Sequence, residues 1–504
     1  MTATTVNGST SDRRAGAWAL ALTSMGAFMV SLDTLVVITA LPAIHHDVGG
    51  SLSTLQWTVN AYTLTFAAGI ITAAALGDRL GRRPVYAAGL LLFATGSAGC
   101  ALAPDAGSLI GARAVQGLGA AVVTPLSLTI LTAAFPPARR GTVIGIWGGL
   151  ASLAIAAGPL VGGAVTQGLD WHWIFWVNVP IGLAAAGLAR LRLADSRGPA
   201  ARLDLPGAVL VAAGSASIAW GLVRAPGSGW GSREVIVALG AGVVLLAGFV
   251  AWERRAPDPM LPLRLLRIRS FAAANASAFL MFGAIFSATF LIAQYFQLGL
   301  GYSPWGSGWR FLPLSGMPLL IAPAAGALAD RIGPRPLLAA GLLLQGIGLG
   351  WVTLVTAAGS GYGRLVPPLV IAGAGTGMAF AAAPAAALAA VPPADMGKAS
   401  GVVSTLQRFG GVFGVAAVAA VFAANGSLGA PASVTAGFRP ALAVSAALSF
   451  LGAVTALAVG PRRRQPTPVT APAAESSQPA RTRLSRSAHG PVIDAVIGPT
   501  TERP

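Results

Sequence analysis

Apolar residues in this chain fall in fourteen blocks of roughly twenty, and that spacing decides what the chain can become. A helix rising 1.5 Å per residue needs about twenty residues to cross about 30 Å of hydrocarbon. The blocks lie at about 17–39, 55–76, 85–103, 108–132, 142–167, 174–191, 204–223, 235–252, 271–298, 307–329, 337–357, 365–390, 398–424 and 437–459. A β-barrel of the outer membrane would show segments of about ten residues alternating in polarity, a pattern missing here. Only 10% of the residues are charged and 55% are hydrophobic, against roughly 25% charged in an ordinary soluble domain. The predicted fold class is therefore an all-α polytopic membrane protein with fourteen transmembrane helices. The 65 glycines and 35 prolines suit helices that pack closely and bend inside a bilayer.

The net charge of +17 reports orientation once the cations are placed on this topology. Arg79, Arg82, Arg83, Arg139, Arg140, Arg254 and Arg255 fall in loops on one side, and the opposite loops hold few, Arg224 and Arg233 among them. Cytoplasmic loops carry the Lys and Arg excess, so both termini are expected in the cytoplasm and the chain in the cytoplasmic membrane. The same placement argues against nucleic acid as a partner. Arg13 and Arg14 precede an apolar stretch too long for a cleaved leader, and that stretch contains Asp33. Cys100 is the single cysteine, which rules out an intrachain disulfide and leaves it a packing role.

Two stretches recur. GDRLGRRP (77–84) returns as ADRIGPRP (329–336), and FPPARRGTVIG (135–145) returns as VPPADMGKASG (391–401). Each pair is separated by eight spans, an even number, so both copies face the same side and the repeat is parallel, with an axis along the membrane normal. The expected domains are a cytoplasmic N-terminal tail (1–16), a six-helix half (17–191), an inserted helix pair (204–252), a second six-helix half (271–459) and a disordered cytoplasmic tail (461–504). The tail is rich in Pro, Ser, Thr and Arg, too polar to bury a core of its own.

Few residues inside the spans can carry chemistry. Asp33 is an acid within the first block, where a carboxylate costs a few kcal/mol on insertion scales, and carboxyl groups withdrawn from water are suited to binding and releasing protons. Arg113, in the fourth block, is a permanent cation that needs a partner or a wet cavity. Asp33 and Arg113 are expected to answer each other, directly or through water; the alternatives are a packing hydrogen bond for Asp33 and a structural or snorkelling role for Arg113. In the second copy Gly373 and Gly375 stand for Gly117 and Gly119, but Leu369 stands for Arg113, which confines the arginine's role to the first half. Trp57, Asn60, Tyr62, Gln294, Tyr295 and Gln297 are polar or aromatic within apolar blocks and are candidates for the wall of an amphiphile site. His45, His46 and Asp47 form an outer-loop cluster, but no further ligands follow at a metal-binding spacing, so no metal is expected.

No Gly-rich loop ends in GK[ST]; MGKAS (396–400) lacks the spacing. Neither HExxH nor GxSxG is present. The chain is read as neither an ATPase nor another enzyme, no cofactor is expected, and uphill transport must draw on an ion gradient.

The motifs resemble those of the major facilitator superfamily, and within it the fourteen-span drug:proton antiporters. GDRLGRRP is similar to the superfamily's signature between spans two and three, and ARAVQGLGAA (112–121) to its fourth-span arginine motif. Gly149, Gly158, Pro159, Gly162 and Gly163 resemble the fifth-span motif of antiporters. SLDTLVVITALPAI (31–44) and WHWIFWVNVPIG (171–182) resemble stretches typical of the fourteen-span group. The resemblance implies two six-helix halves flanking two inserted helices, with one chain sufficing as a monomer. Protons and small amphiphilic substrates would be its partners besides the lipid bilayer, and its function proton-coupled drug or antibiotic efflux, conferring resistance. It assigns the inner gate to Gly77, Asp78, Arg79, Gly81, Arg82 and Arg83, with Asp330, Arg331 and Arg335 as the second copy, and proton coupling to Asp33 and Arg113. A dedicated exporter of an endogenous antibiotic or metabolite, and less readily a uniporter or uptake permease, are the alternatives. Additional acids that assist dicationic drugs in some relatives have no counterpart in the second half.

Overall fold

The structure is a computed structural model that describes residues 7–49, 52–197, 204–257, 259, 261, 263–356, 361–392, 395–428 and 430–460. The tail at 461–504 and the first residues of the N-terminal tail lie outside them. Among the described residues there are fourteen long helices and no strand: α1 (Asn7–Val48), α2 (Leu52–Leu80), α3 (Arg82–Ala101), α4 (Ala106–Ala134), α5 (Pro137–Gly168), α6 (Asn178–Arg192), α7 (Leu205–Ser228), α8 (Arg233–Glu253), α9 (Arg269–Gln294), α10 (Met317–Ile332), α11 (Pro334–Val355), α12 (Val366–Leu388), α13 (Met396–Asn425) and α14 (Pro431–Ala456). Each answers to one apolar block. Thirteen segments are long and apolar enough to cross a membrane, and α2, bent by 49° between Thr54–Ile70 and Thr72–Leu80, is the fourteenth.

The helices outrun the blocks, because an apolar run marks only the part that meets hydrocarbon while backbone hydrogen bonding continues into the polar flanks. Thus α1 begins inside the expected tail, and His45, His46 and Asp47, expected in a loop, form its last turn. There Asp47 accepts a hydrogen bond from the Trp171 indole at 2.9 Å. The tenth span is broken into Pro304–Arg310, Leu312–Ser315 and α10; Pro304, Pro313, Pro318 and Pro323 each remove a backbone donor along it. Elsewhere the ends follow local chemistry. Asp105 closes a capping box with Ser108 at the start of α4, and Ser232 caps α8 by accepting from the Val235 amide.

The two halves are built alike. The first helix of each packs on the fifth (α1 on α5, α9 on α13), the second on the fourth (α2 on α4, α10 on α12), and the third on the fourth and sixth (α3 on α4 and α6, α11 on α12 and α14). They meet along α2 against α13, and along α5 against α10 and the Pro304–Arg310 segment, which is the same pairing of second with fifth helix taken twice. The inserted pair, α7 and α8, packs on itself, and α7 leans on both α2 and α13. The repeated motif has a backbone reason: Gly81 and Gly333, five residues into each copy, both adopt positive φ, 107° and 88°, where side chains are disfavoured.

Candidate functional site

Asp33 on α1 and Arg113 on α4 meet in the interior of the first half, the guanidinium donating to Asp33 Oδ2 at 2.6 Å with both side chains at most 1% exposed. Two charges so far from water need further hydrogen bonds to hold together, and both carboxylate oxygens are engaged. Asp33 Oδ1 accepts from Gln116 Nε2 at 2.9 Å and from Asn178 Nδ2 at 3.2 Å. Arg113 also donates to Gln116 Oε1 at 2.6 Å and to the Thr58 carbonyl at 3.1 Å, and its guanidinium lies 4.1 Å from the centre of the Tyr62 ring. Ser97 completes the set, accepting from Gln116 and Asn178 and donating to the Phe175 carbonyl. Helices α1, α2, α3, α4 and α6 thus meet in one network around the carboxylate. Gln116, Asn178 and Ser97 were not singled out from sequence; Gln116 and Asn178 stand inside the quoted ARAVQGLGAA and WHWIFWVNVPIG motifs, whereas Ser97 carries no signal beyond being polar in an apolar block.

A cavity of about 110 Å³ opens between the halves, lined from α1, α5, α9, α10, α12 and α13 and the segment preceding α10. Its wall is aromatic, with Phe282, Phe286, Phe311 and Phe380, and its polar groups are the hydroxyls of Ser31, Thr34, Thr289, Ser315 and Thr376 and one guanidinium, Arg408. Thr34 joins it to the buried pair: its hydroxyl donates to the Tyr62 hydroxyl at 3.5 Å, and Tyr62 underlies Arg113. Pockets for drug-sized ligands run from about 300 to 1,000 Å³, so loading this cavity requires the halves to part. Arg408 went unremarked in the sequence, although a cation ten residues into an apolar block is the same signal that singles out Arg113. A larger hollow of about 540 Å³ lies between the ends of α1, α4 and α6, beside Arg139 and Asp195.

The six wall candidates chosen from sequence do not line this cavity. Trp57 packs against the cluster that binds the inserted pair, Tyr62 is buried under Arg113, Tyr295 stacks on Phe438 at 4.3 Å, and Gln297 donates to the Thr39 carbonyl at 2.7 Å. Asn60 and Gln294 are buried with amide groups that find no hydrogen-bond partner among the described residues. Each residue turns a helix face by 100°, and composition does not say which face looks inward.

The fifth-helix motif divides by position. A side chain at Gly158 would meet Leu35, one at Gly162 would meet Val36, and one at Gly163 would run into the Pro304 carbonyl, while Gly149 has open space around it. Small residues let backbones approach in membranes, and here they bring α5 against α1 and against the Pro304–Arg310 segment. Hydrogen bonds from Gln297 to Thr39, from the Trp305 amide to Gln167 and from Ser315 to the Ala156 carbonyl hold the two halves together at that same end. At the other end, the 77–84 loop is tied to its own half. Asp78 pairs with Arg82 at 2.8 Å, the Arg82 amide donates to the Ser196 carbonyl at 2.9 Å, and the Arg83 amide donates to Asp195 Oδ1 at 3.3 Å. Gly77 abuts Leu126, and Arg79 is exposed. In the second copy Arg331 is exposed and Arg335 partly so; the Asp330 side chain lies outside the described residues.

Two six-helix halves around a central cavity with an interior ion pair define a membrane transport protein. The chain belongs to the Major Facilitator Superfamily, whose family model matches residues 23–415 and 278–497. It is 34% identical over 404 residues to the tetracenomycin C resistance and export protein of Streptomyces glaucescens, covering 80% of this chain and 75% of that one. It is 36% identical over 407 residues to the multidrug resistance protein Stp of Mycobacterium tuberculosis, again 80% and 75%, and 34% identical over 467 residues to the cephamycin export protein CmcT of Amycolatopsis lactamdurans, 92% and 96%. Among solved structures it resembles the peptide transporter POT in complex with sulfate, with a TM-score of 0.63 at 18% identity over 88% of this chain and 95% of that one. It also resembles the human organic anion transporter MFSD10, with a TM-score of 0.58 at 17% identity over 88% and 99%. These structural likenesses bear on the fold.

Proposed function

We propose that this chain exports amphiphilic drugs or antibiotics across the cytoplasmic membrane in exchange for protons, conferring resistance, with both termini inside and one chain as the working unit. The observation that carries the reading is the Asp33–Arg113 pair, a proton-binding group held against a fixed cation one residue away from a cavity-lining side chain, Thr34. A proton arriving on Asp33 removes the counter-charge and leaves Arg113 buried alone, an arrangement that costs several kcal/mol. Protonation therefore disfavours the observed packing and loss of the proton restores it, so that occupancy of Asp33 biases the exchange between states open at opposite ends. With the expected orientation the closed end faces outward, and the 77–84 loop, with its copy at 329–336, latches the opposite end in the alternate state.

The names of the relatives support export of resistance-linked compounds as the direction and cargo. CmcT, aligned over nearly its whole length and named for one antibiotic, favours a second reading in which this chain serves a single endogenous compound. Growth of a pump-deficient host on a panel of antibiotics, followed by uptake into energised inverted vesicles, tests both readings. Accumulation that collapses with a protonophore is expected; downhill equilibration alone contradicts antiport. Protection against one compound only selects the dedicated exporter.

A further inference from the structure

Arg408 on α13 is the one cation among the residues lining the central cavity, and none of those residues is acidic. Its guanidinium lies over the Phe66 ring, 4.2 Å from its centre, and among the described residues it forms no ion pair and no hydrogen bond. The buried carboxylate of α1, Asp33, is already taken by Arg113, Gln116 and Asn178. Arg113, the other arginine of the interior, holds an ion pair and hydrogen bonds to Gln116 and Thr58; Arg408 lines the cavity with none among the described residues. A permanent cation at membrane depth faces a partner or a wet pathway, and a planar guanidinium presents a fork that fits a carboxylate or similar oxyanion in a bidentate manner. The wall around it, Phe282, Phe286, Phe311 and Phe380, accepts a flat apolar body.

We propose that Arg408 is the recognition point for the anionic group of the cargo, so that the preferred substrates are amphiphilic organic anions carrying a carboxylate or comparable oxyanion beside an apolar body. The proposal rests on the efflux reading for its transport consequence, but not for binding. The positive cavity repels the cationic amphiphiles that an acidic cavity would select.

The test uses three dansyl probes with one fluorophore and different charge: dansyl-leucine (anion), dansyl-leucinamide (neutral) and dansylcadaverine (cation). Each is titrated onto the full chain in nanodiscs of zwitterionic lipid, so that no anionic headgroup competes. The expected result is binding of dansyl-leucine at least tenfold tighter than of the other two, loss of that preference in Arg408→Gln, and its partial retention in Arg408→Lys. An Arg408→Gln protein that binds dansyl-leucine within twofold of wild type overturns the proposal. So does a wild-type protein that prefers the cation or binds none of the three. The wild-type order among the probes decides the matter even if Arg408→Gln does not fold. Adding anionic phosphatidylglycerol to the nanodiscs separates the sources of the anion: the proposal expects at most a twofold weakening of dansyl-leucine, whereas displacement by lipid would make the site a headgroup site and overturn it. The efflux reading fails separately, if inverted vesicles bind dansyl-leucine selectively yet accumulate no probe under a proton gradient.

Discussion

Asp33 and Arg113 stand 2.6 Å apart with at most 1% of either side chain exposed, and Gln116 bonds to both of them. Such a pair is a weak source of stability but a strong source of discrimination between charge states, because the interior tolerates both charges or neither far better than one.

Removing both members should therefore cost less than the two single losses added together. Asp33→Asn and Arg113→Gln are each expected to lower unfolding free energy by about 3–5 kcal/mol, and the double variant to lose less than the sum by at least about 2 kcal/mol, in the range of coupling between contacting residues. Thermal unfolding of detergent-purified protein, followed by tryptophan fluorescence, measures the cycle. Additive losses would mean that the two charges do not sense each other.

The fifth-helix glycines should differ sharply in tolerance. Gly163→Leu places a side chain against the Pro304 carbonyl and holds that end open, so export is expected to fall at least tenfold while a cysteine at position 39, where Thr39 is buried at that closure, becomes reactive to an impermeant thiol reagent. Gly149→Leu, entering open space, should export within about twofold of wild type. Equal behaviour of the two variants would separate the motif from closure.

The glycines of the repeated loop are backbone requirements. Gly81→Ala and Gly333→Ala force side chains into positive-φ conformations, at about 1–3 kcal/mol each. At position 81 the new methyl would also lie 2.9 Å from Asp195 Oδ2. Lower apparent melting temperatures are expected for both and not for Gly149→Ala; unchanged melting would mean that the loops relax freely.

If Arg408 selects anions, transport is electrogenic. One proton entering as one monovalent anion leaves moves two charges, worth about 4.6 kcal/mol per 100 mV at about 2.3 kcal/mol per charge, whereas exchange for a monovalent cation moves none. Imposing an inside-negative potential on right-side-out proteoliposomes without a pH gradient should drive anion efflux, and collapsing it with valinomycin and potassium should abolish the effect. Potential-independent efflux would contradict the charge count.

The fourteen spans were legible because a bilayer demands a long apolar run for every crossing, and no tertiary context can waive that demand. The Asp33–Arg113 pairing was legible for the opposite reason, since two expensive residues in neighbouring spans need each other. Gln116, Asn178 and Ser97 were not, because neutral polar residues are cheap enough to occur in spans for many reasons, and only convergence in space marks them. The wall candidates in α2 and α9 show the same limit: the sequence places Asn60 or Gln294 at a depth, but the rotation of a helix against its neighbours is set by packing. Arg408 was visible by its cost in an apolar block, yet that it faces the cavity without a partner is a fact of three dimensions.

The central claim, that the carboxyl group at position 33 couples proton entry to export, is tested most directly by comparing two modes of transport in the same vesicles. With the compound most strongly exported in the antibiotic panel, Asp33→Asn is expected to exchange labelled for unlabelled substrate at a rate within a few-fold of wild type, yet to accumulate none under an imposed pH gradient. Gradient-driven accumulation by Asp33→Asn at the wild-type level would contradict the account.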